Sequence, residues 1–171
     1  GLAHKTEARA LRLNLATPEA VTAAAGELAG LGKGLYVEKM IAAPLAELLV
    51  GITRDPPFGL VLTLGSGGEQ VEILRDTVTL LLPSTRGEIE SALDSLKCAP
   101  LLRGYRGRPP GDRSATVNAI EAIQRFALSN KNSLLELEIN PLIVCAEGQG
   151  AFAADALMIT CLADKKETAD A

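Results

Sequence analysis

The chain has no tryptophan, two tyrosines, three phenylalanines and a single histidine in 171 residues. A core without a supply of aromatics must be built from Leu, Ile, Val and Ala, and a hydrophobic share of 47% is enough to build one. That much apolar surface offsets ordering entropy and excludes disorder as the main state. Basic excess is lacking too: 17 Lys and Arg stand against 21 Asp and Glu, a net charge of −4. A general nucleic-acid binder, which needs a basic face, is thereby excluded. No apolar run approaches the roughly 20 residues that cross a bilayer, so no membrane partner is expected. The first ten residues, GLAHKTEARA, lack the charged-then-apolar order of a signal peptide. Cys98, Cys145 and Cys161 are odd in number, far apart and without a CxxC pair. Separate thiols in a reducing cytoplasm are the expectation, rather than disulfides or a thiolate metal site.

What is present has the patterning of an α+β domain. Residues 9–16 alternate polar and apolar, placing Leu11, Leu13 and Leu15 on one side of a strand. Thr17 and Pro18 then offer an N-cap and a first-turn proline for a helix carrying Val21, Ala24, Ala25, Leu28 and Leu31. Strands are predicted over 35–41, 46–53 and 59–65, the last two joined by the turn RDPPFG. A glycine-rich bend enters a further strand over 65–74, and another spans 77–83. Thr85 with Glu88 forms a capping box ahead of Ile89, Ala92, Leu93 and Leu96. The composition of 101–113 predicts a loop, and Asp112 or Ser114 caps a helix with Val117, Ile120, Ile123 and Phe126 as its stripe. Strands over 133–145 and 151–160 close the order, before a polar tail. Hairpin spacing interrupted by three helices predicts a largely antiparallel sheet with flanking helices. The expected division is one partial domain over 1–163 and a tail over 164–171.

The most informative stretch is LLELEINPL. Leu135, Leu137 and Ile139 are expected on one face, with Glu136, Glu138 and Asn140 on the other. If Glu147 and Gly148 are the two turn residues of the following hairpin, Asn140 lies opposite Asp155. Directly opposed side chains are about 4.5–5.5 Å apart at Cβ, close enough to share a hard cation. A one-residue bulge would send them to opposite faces. Oxygen-only ligands suit Mg²⁺, which usually takes one or two protein oxygens plus substrate phosphates. On spacing alone, a cation site and a plain solvated strand face both remain open.

The segments HKTEA (4–8), VEKMI (37–41), ELLVGITRDPPFG (47–59), GSGGEQVEILRD (65–76), LLRGYRG (101–107), LEINPL (137–142) and ADAL (154–157) run in order through nearly the whole chain. Together they resemble the ATP-grasp domain of the NDP-forming acyl-CoA synthetases, relatives of the succinyl-CoA synthetase β subunit. The resemblance implies that Asn140 and Asp155 hold Mg²⁺ for ATP. It implies that the backbone around Glu38, Lys39 and Met40 contacts adenine, that Glu47 lies near the ribose, and that Gly65, Gly67 and Gly68 lie near the phosphate route. His4, on the loop carrying HKT, is implied to relay a phosphoryl group; a neutral imidazole is nucleophilic near pH 7.

The chain also departs from the family pattern. The family follows HKT with an acid and then a Gly-Gly pair, where this chain has Glu7, Ala8, Arg9 and Ala10. Loss of those glycines stiffens the loop. No phosphate-binding lysine segment precedes His4, and the CoA-binding and ligase domains are not in the sequence. The reading is the larger, C-terminal part of an ATP-grasp domain from an acid–thiol ligase acting through phosphohistidine, inactive as an isolated piece. Its implied partners are nucleotide and CoA-binding or ligase domains of the same chain or a partner subunit, with homo-oligomerisation left open. The alternative is a non-catalytic, ligand-sensing ATP-grasp-like region of a protein lysine acetyltransferase. Arg103, Arg106, Arg108 and Arg113 offer a weaker anion clamp on one loop. Ser66 and Ser84 have no histidine at triad spacing, and GSGG is no P-loop because no GK[ST] follows.

Overall fold

A computed structural model describes residues 10–31, 34–68 and 76–161. Contacts divide the chain into two units, Gly1–Ala42 and Ala43–Ala171. The first unit carries helix α1 (Pro18–Leu28), which starts as expected: the Thr17 hydroxyl accepts from Ala20 N at 3.2 Å, and Pro18 opens the first turn. A 3₁₀ turn, Ala29–Leu31, ends it. The strand expected over 9–16 is absent from the described residues 10–16. Asn14 has φ 59, a left-handed residue that breaks the extended run, and Leu13 is 58% exposed. The strand expected over 35–41 is likewise not formed: among the described residues nothing pairs with this segment, and Tyr36 is 89% exposed. Alternating apolar residues make a strand only where another strand pairs with them.

The second unit is a six-stranded sheet: β1 (Ala46–Asp55), β2 (Gly59–Ser66), β3 (Thr77–Leu81), β4 (Leu134–Val144), β5 (Ala151–Ala153) and β6 (Ala156–Thr160). The order is β3-β2-β1-β4-β5, with β6 also on β4, and every pairing is antiparallel. Alternate residues supply one buried face: Leu48, Val50 and Ile52 of β1, Leu60, Leu62 and Leu64 of β2, and Leu137, Ile139, Leu142 and Val144 of β4. These join one cluster with Ile89, Ala92 and Leu93 of α2 (Arg86–Ser95), Leu102 of α3 (Ala99–Arg103), and Val117, Ile120 and Ala127 of α4 (Arg113–Ser129). Each fully buried Leu or Ile contributes about 1.5–3 kcal/mol, so the cluster dominates the stability of this unit.

Three boundaries differ from expectation. Ala99–Arg103 is a short helix inside what reads as a loop; Gly104, at φ 90, ends it. In α4, Phe126 is 46% exposed and the buried Gln124 takes part in the inner face instead. Its Oε1 accepts from Ser84 N and Oγ at 2.8 and 2.7 Å while its Nε2 donates to Ser84 O, which fastens α4 to the β3–α2 turn. In β4 a bulge at Leu135 turns Leu134 inward, so Leu135 is not on the inner face. The capping box at Thr85 and Glu88 forms as expected, and Asp112, not Ser114, caps α4. Most of the strand expected over 65–74 lies outside the described residues.

The final strand is split at Ala154 and Asp155, opposite Asn140 and Pro141. Proline has no N–H to give to the ladder, so the pairing is interrupted there. The register survives the interruption: Leu142 faces Ala153 on one side and Ile139 faces Ala156 on the other. Asn140 N donates to Asp155 O at 3.2 Å, and Ala154 N donates to Pro141 O at 3.0 Å. At the tip, Gln149 N donates to Ala146 O at 2.8 Å around Glu147 and Gly148, with Gly148 at φ 78. Asp112 ties this hairpin to α4, its Oδ1 accepting from Ala115 N at 3.0 Å and its Oδ2 from Gly150 N at 2.9 Å.

Asp112→Ala is expected to lose about 1–2 kcal/mol, the usual cost of an N-cap, in chemical denaturation, and Asn, which keeps only one of the two acceptors, is expected to recover only part of it. The Arg113 guanidinium, joined by that of Arg103, holds the Asp94 carboxyl down to about 2. A lowered folded pKa contributes stability above the unfolded carboxylate range that is lost as pH falls from about 4 through about 2. An NMR titration should give Asp94 a midpoint near 2; a midpoint in the ordinary range would show that the two arginines do not hold it.

Candidate functional site

Of the residues singled out by sequence, the second unit brings together Glu47, Gly65, Gly67, Gly68, Asn140 and Asp155. Glu47 opens β1, where it pairs with Ile143. The glycine turn leaves the end of β2 and folds back over that same end of β1. Gly67 N donates to Glu47 O at 2.8 Å, and Gly68 N donates to the Asn140 side-chain Oδ1 at 3.0 Å. The glycines are required by closeness. A Cβ on Gly67 would stand 2.5 Å from the Leu48 carbonyl carbon, and one on Gly68, at φ 72, would overlap the Glu47 carboxylate. Gly65 lies in the ladder between Leu49 and Thr77, where a Cβ would meet Asp76 O at 2.8 Å.

Asn140 and Pro141 together oppose Leu49 of β1, a bulge that falls between the Leu48–Leu142 and Val50–Ile139 pairs. Across the other edge, Asn140 lies opposite Asp155, where Asn140 N donates to Asp155 O in the gap between β5 and β6. The Asp155 Oδ1 accepts from Ala156 N at 3.0 Å. The backbones of Asn140 and Asp155 are therefore adjacent, which brings an amide and a carboxylate to neighbouring positions of the hairpin. Both are hard oxygen donors of the kind Mg²⁺ takes, and two of them leave room for phosphate oxygens and water. No group of three or more His, Cys, Asp or Glu with metal-binding geometry occurs among the described residues. By donor chemistry alone, the two residues suit a cation whose shell is completed by a substrate.

The other expected residues are placed differently. Glu38, Lys39 and Met40 belong to the first unit, in an exposed segment without helix or strand. His4 lies outside the described residues. The four-arginine clamp on the 101–113 loop is not formed as one group. Arg103 and Arg113 both pair with Asp94 at 2.7 Å, and the Arg106 guanidinium lies 5.2 Å from the Tyr105 ring centre.

Sequence reasoning missed a cavity of about 810 Å³ beside the glycine turn, lined in part by Glu47, Ser66, Gly67, Lys97, Cys98 and Tyr105. Behind it is a buried carboxylate. Asp76, 9% exposed, accepts from Ser66 Oγ and from Lys97 N, both at 2.8 Å, while its own carbonyl accepts from Ser66 N at 3.1 Å. It fastens both shoulders of the glycine turn to the α2–α3 junction. Its one sequence signal is an acid set directly before the β-branched strand TVTLL. Burial pushes the Cys98 thiol above its ordinary range and nearby Asp76 adds to this, against a lowering hydrogen bond with Ser66. That thiol is therefore a poor nucleophile at neutral pH.

With this geometry in hand, comparison with known proteins is decisive about class. Residues 1–160 match the family described as "ATP-grasp domain". The chain is 30% identical over 165 residues to the beta subunit of the ADP-forming acetate–CoA ligase II of Pyrococcus furiosus, covering 91% of this chain and 70% of that subunit. It is 37% identical over 120 residues to the ADP-forming 4-hydroxybutyrate–CoA ligase of Nitrosopumilus maritimus, covering 69% of this chain but 17% of that protein. Its fold matches the dinucleotide-forming acetyl-coenzyme A synthetase 1 of Ca. Korarchaeum cryptofilum, solved with coenzyme A and Mg-AMPPCP. The TM-score is 0.81, with 29% identity over 94% of this chain and 72% of that one. The chain belongs to the ATP-grasp domains of the ADP-forming acyl-CoA synthetases. No helix among the described residues is long and apolar enough to cross a membrane.

Because a Cβ at Gly67 meets backbone rather than a movable side chain, Gly67→Ala should cost about 1–3 kcal/mol through overpacking. Thermal melting of the variant against the parent checks this; an unchanged melting temperature would show that the turn does not press on Leu48.

Proposed function

We propose that this chain forms the nucleotide-binding ATP-grasp portion of an acid–thiol ligase that exchanges acyl-CoA, NDP and phosphate for acid, CoA and NTP. The observation that carries the reading is the hairpin register that sets Asn140 across from Asp155 at the foot of the glycine turn. Asn140 through Oδ1 and Asp155 through its carboxylate would hold Mg²⁺ with the nucleotide. The ion, when bound, would neutralise charge on the β- and γ-phosphates. Glu47 is assigned to the ribose, and the backbone of Glu38 to Met40 to the adenine. His4 is assigned as the group that takes up the phosphoryl group, its neutral imidazole nitrogen being the nucleophile. In the Korarchaeum synthetase a phosphohistidine segment points towards the nucleotide binding site, which supports the relay reading for this relative.

The chain spans 17% of the Nitrosopumilus ligase, so acyl chemistry is assigned to domains beyond this sequence, in the same polypeptide or a partner subunit. A cytoplasmic location goes with this reading. The relatives described above are ligases, which supports a synthetase over a sensor region of an acetyltransferase.

Isothermal titration of Mg-ATP into the intact protein, parent against Asp155→Ala, tests the site. Affinity should fall by tenfold or more; equal affinity would remove Asp155 from it. In parallel, γ-labelled ATP should leave acid-labile phosphate on the parent and none on His4→Ala.

A further inference from the structure

The glycine turn has a use that phosphate binding does not explain. In a phosphate cradle, consecutive backbone N–H groups converge on an empty space that an anion fills. Here both are spent inside the protein: Gly67 N on Glu47 O at 2.8 Å, and Gly68 N on Asn140 Oδ1 at 3.0 Å. The second bond is chemically selective. An N–H donates only to the oxygen end of a carboxamide, and a flipped amide would set Nδ2 hydrogens against it. Gly68 therefore fixes which end of Asn140 faces the turn. A metal ion binds only that oxygen end, and the oxygen keeps a second lone pair for it.

We infer that Gly68 is a positioning residue for Asn140: its N–H locks the amide with Oδ1 turned toward the cation, and Gly67 and Gly68 brace that amide rather than cradle phosphate. This rests on Asn140 being a metal ligand, as proposed above. Three observations converge on it. Gly68, at φ 72, holds a left-handed backbone that glycine takes without strain, and its N–H meets the Asn140 amide oxygen at 3.0 Å. The Glu47 carboxylate occupies the space where a Cβ at 68 would stand, so an added methyl there would displace that flexible side chain. Gly67 is pressed on the Leu48 backbone, and Asp76 holds Ser66 from behind, so the donor sits on a rigid support. Groups that orient a metal ligand through its second hydrogen bond typically change metal affinity by 10–100-fold when lost.

A double-mutant cycle on the intact protein tests this, with Mn²⁺–ADP affinity read by electron paramagnetic resonance. Asn140→Ala and Gly68→Ala are each expected to weaken binding by about tenfold or more. Because an added methyl at 68 also displaces the Glu47 carboxylate, the cycle is run in a Glu47→Ala background, where the double variant is expected to be no worse than Asn140→Ala. Losses that multiply would overturn the inference in favour of direct phosphate contact by the turn, as would a Gly68→Ala protein that binds like the parent. Asn140→Ala with unchanged affinity would remove the metal ligand itself, and the brace with it. If Gly68→Ala does not fold, amide hydrogen exchange on the Asn140→Ala protein decides the matter. The Gly68 amide should exchange at least tenfold faster than in the parent while β1 and β2 amides keep their protection. An unchanged rate at Gly68 would overturn the inference.

Discussion

Ladder pairing between β4 and the two short strands after Gly150 is the constraint on which the site depends. It is set by a two-residue tip, carried past a proline that cannot donate, and resumed in the same register beyond it. The Asp112 carboxylate reaches from the start of α4 to Gly150 N and holds that tip to the helical layer. Helix capping and strand register, which are separate problems in many folds, are here joined in one side chain.

A second layer of constraint surrounds the glycine turn. Its backbone touches β1 at Leu48, meets the Asn140 amide of β4 and leans on the buried Asp76. The turn thus ties the end of β2 to both β1 and β4. A buried carboxylate with two short donors is costly to form and costly to disturb, which suits an element that must not drift.

Much of this was legible in the residues alone. The hairpin register followed from Glu147 and Gly148, because a tight turn leaves one pairing for all that follows. The helix starts at Thr17, Thr85 and Asp112 were legible because caps are local chemistry. What failed needed information from elsewhere in the chain. The alternation around Leu11, Leu13 and Leu15 reads as a strand, yet Asn14 turns left-handed and no neighbour pairs with the segment. The arginines, glycines and prolines of 101–113 masked the short helix ending at Arg103, which forms because Ala99 and Leu102 are buried. Asp76 carried almost no local signal, since a carboxylate is buried only when distant donors, here Ser66 and Lys97, are brought to it.

The side chain at 155 owes its direction to the count of residues between Cys145 and Gly150. Adding or removing one there would rotate every later side chain to the reverse surface of the sheet, without disturbing a single buried leucine of β1 or β2. Such a change would shift the acid at 155 out of its register with Asn140. The length of this tip therefore acts on the hairpin beyond it, although the tip itself holds none of the site residues.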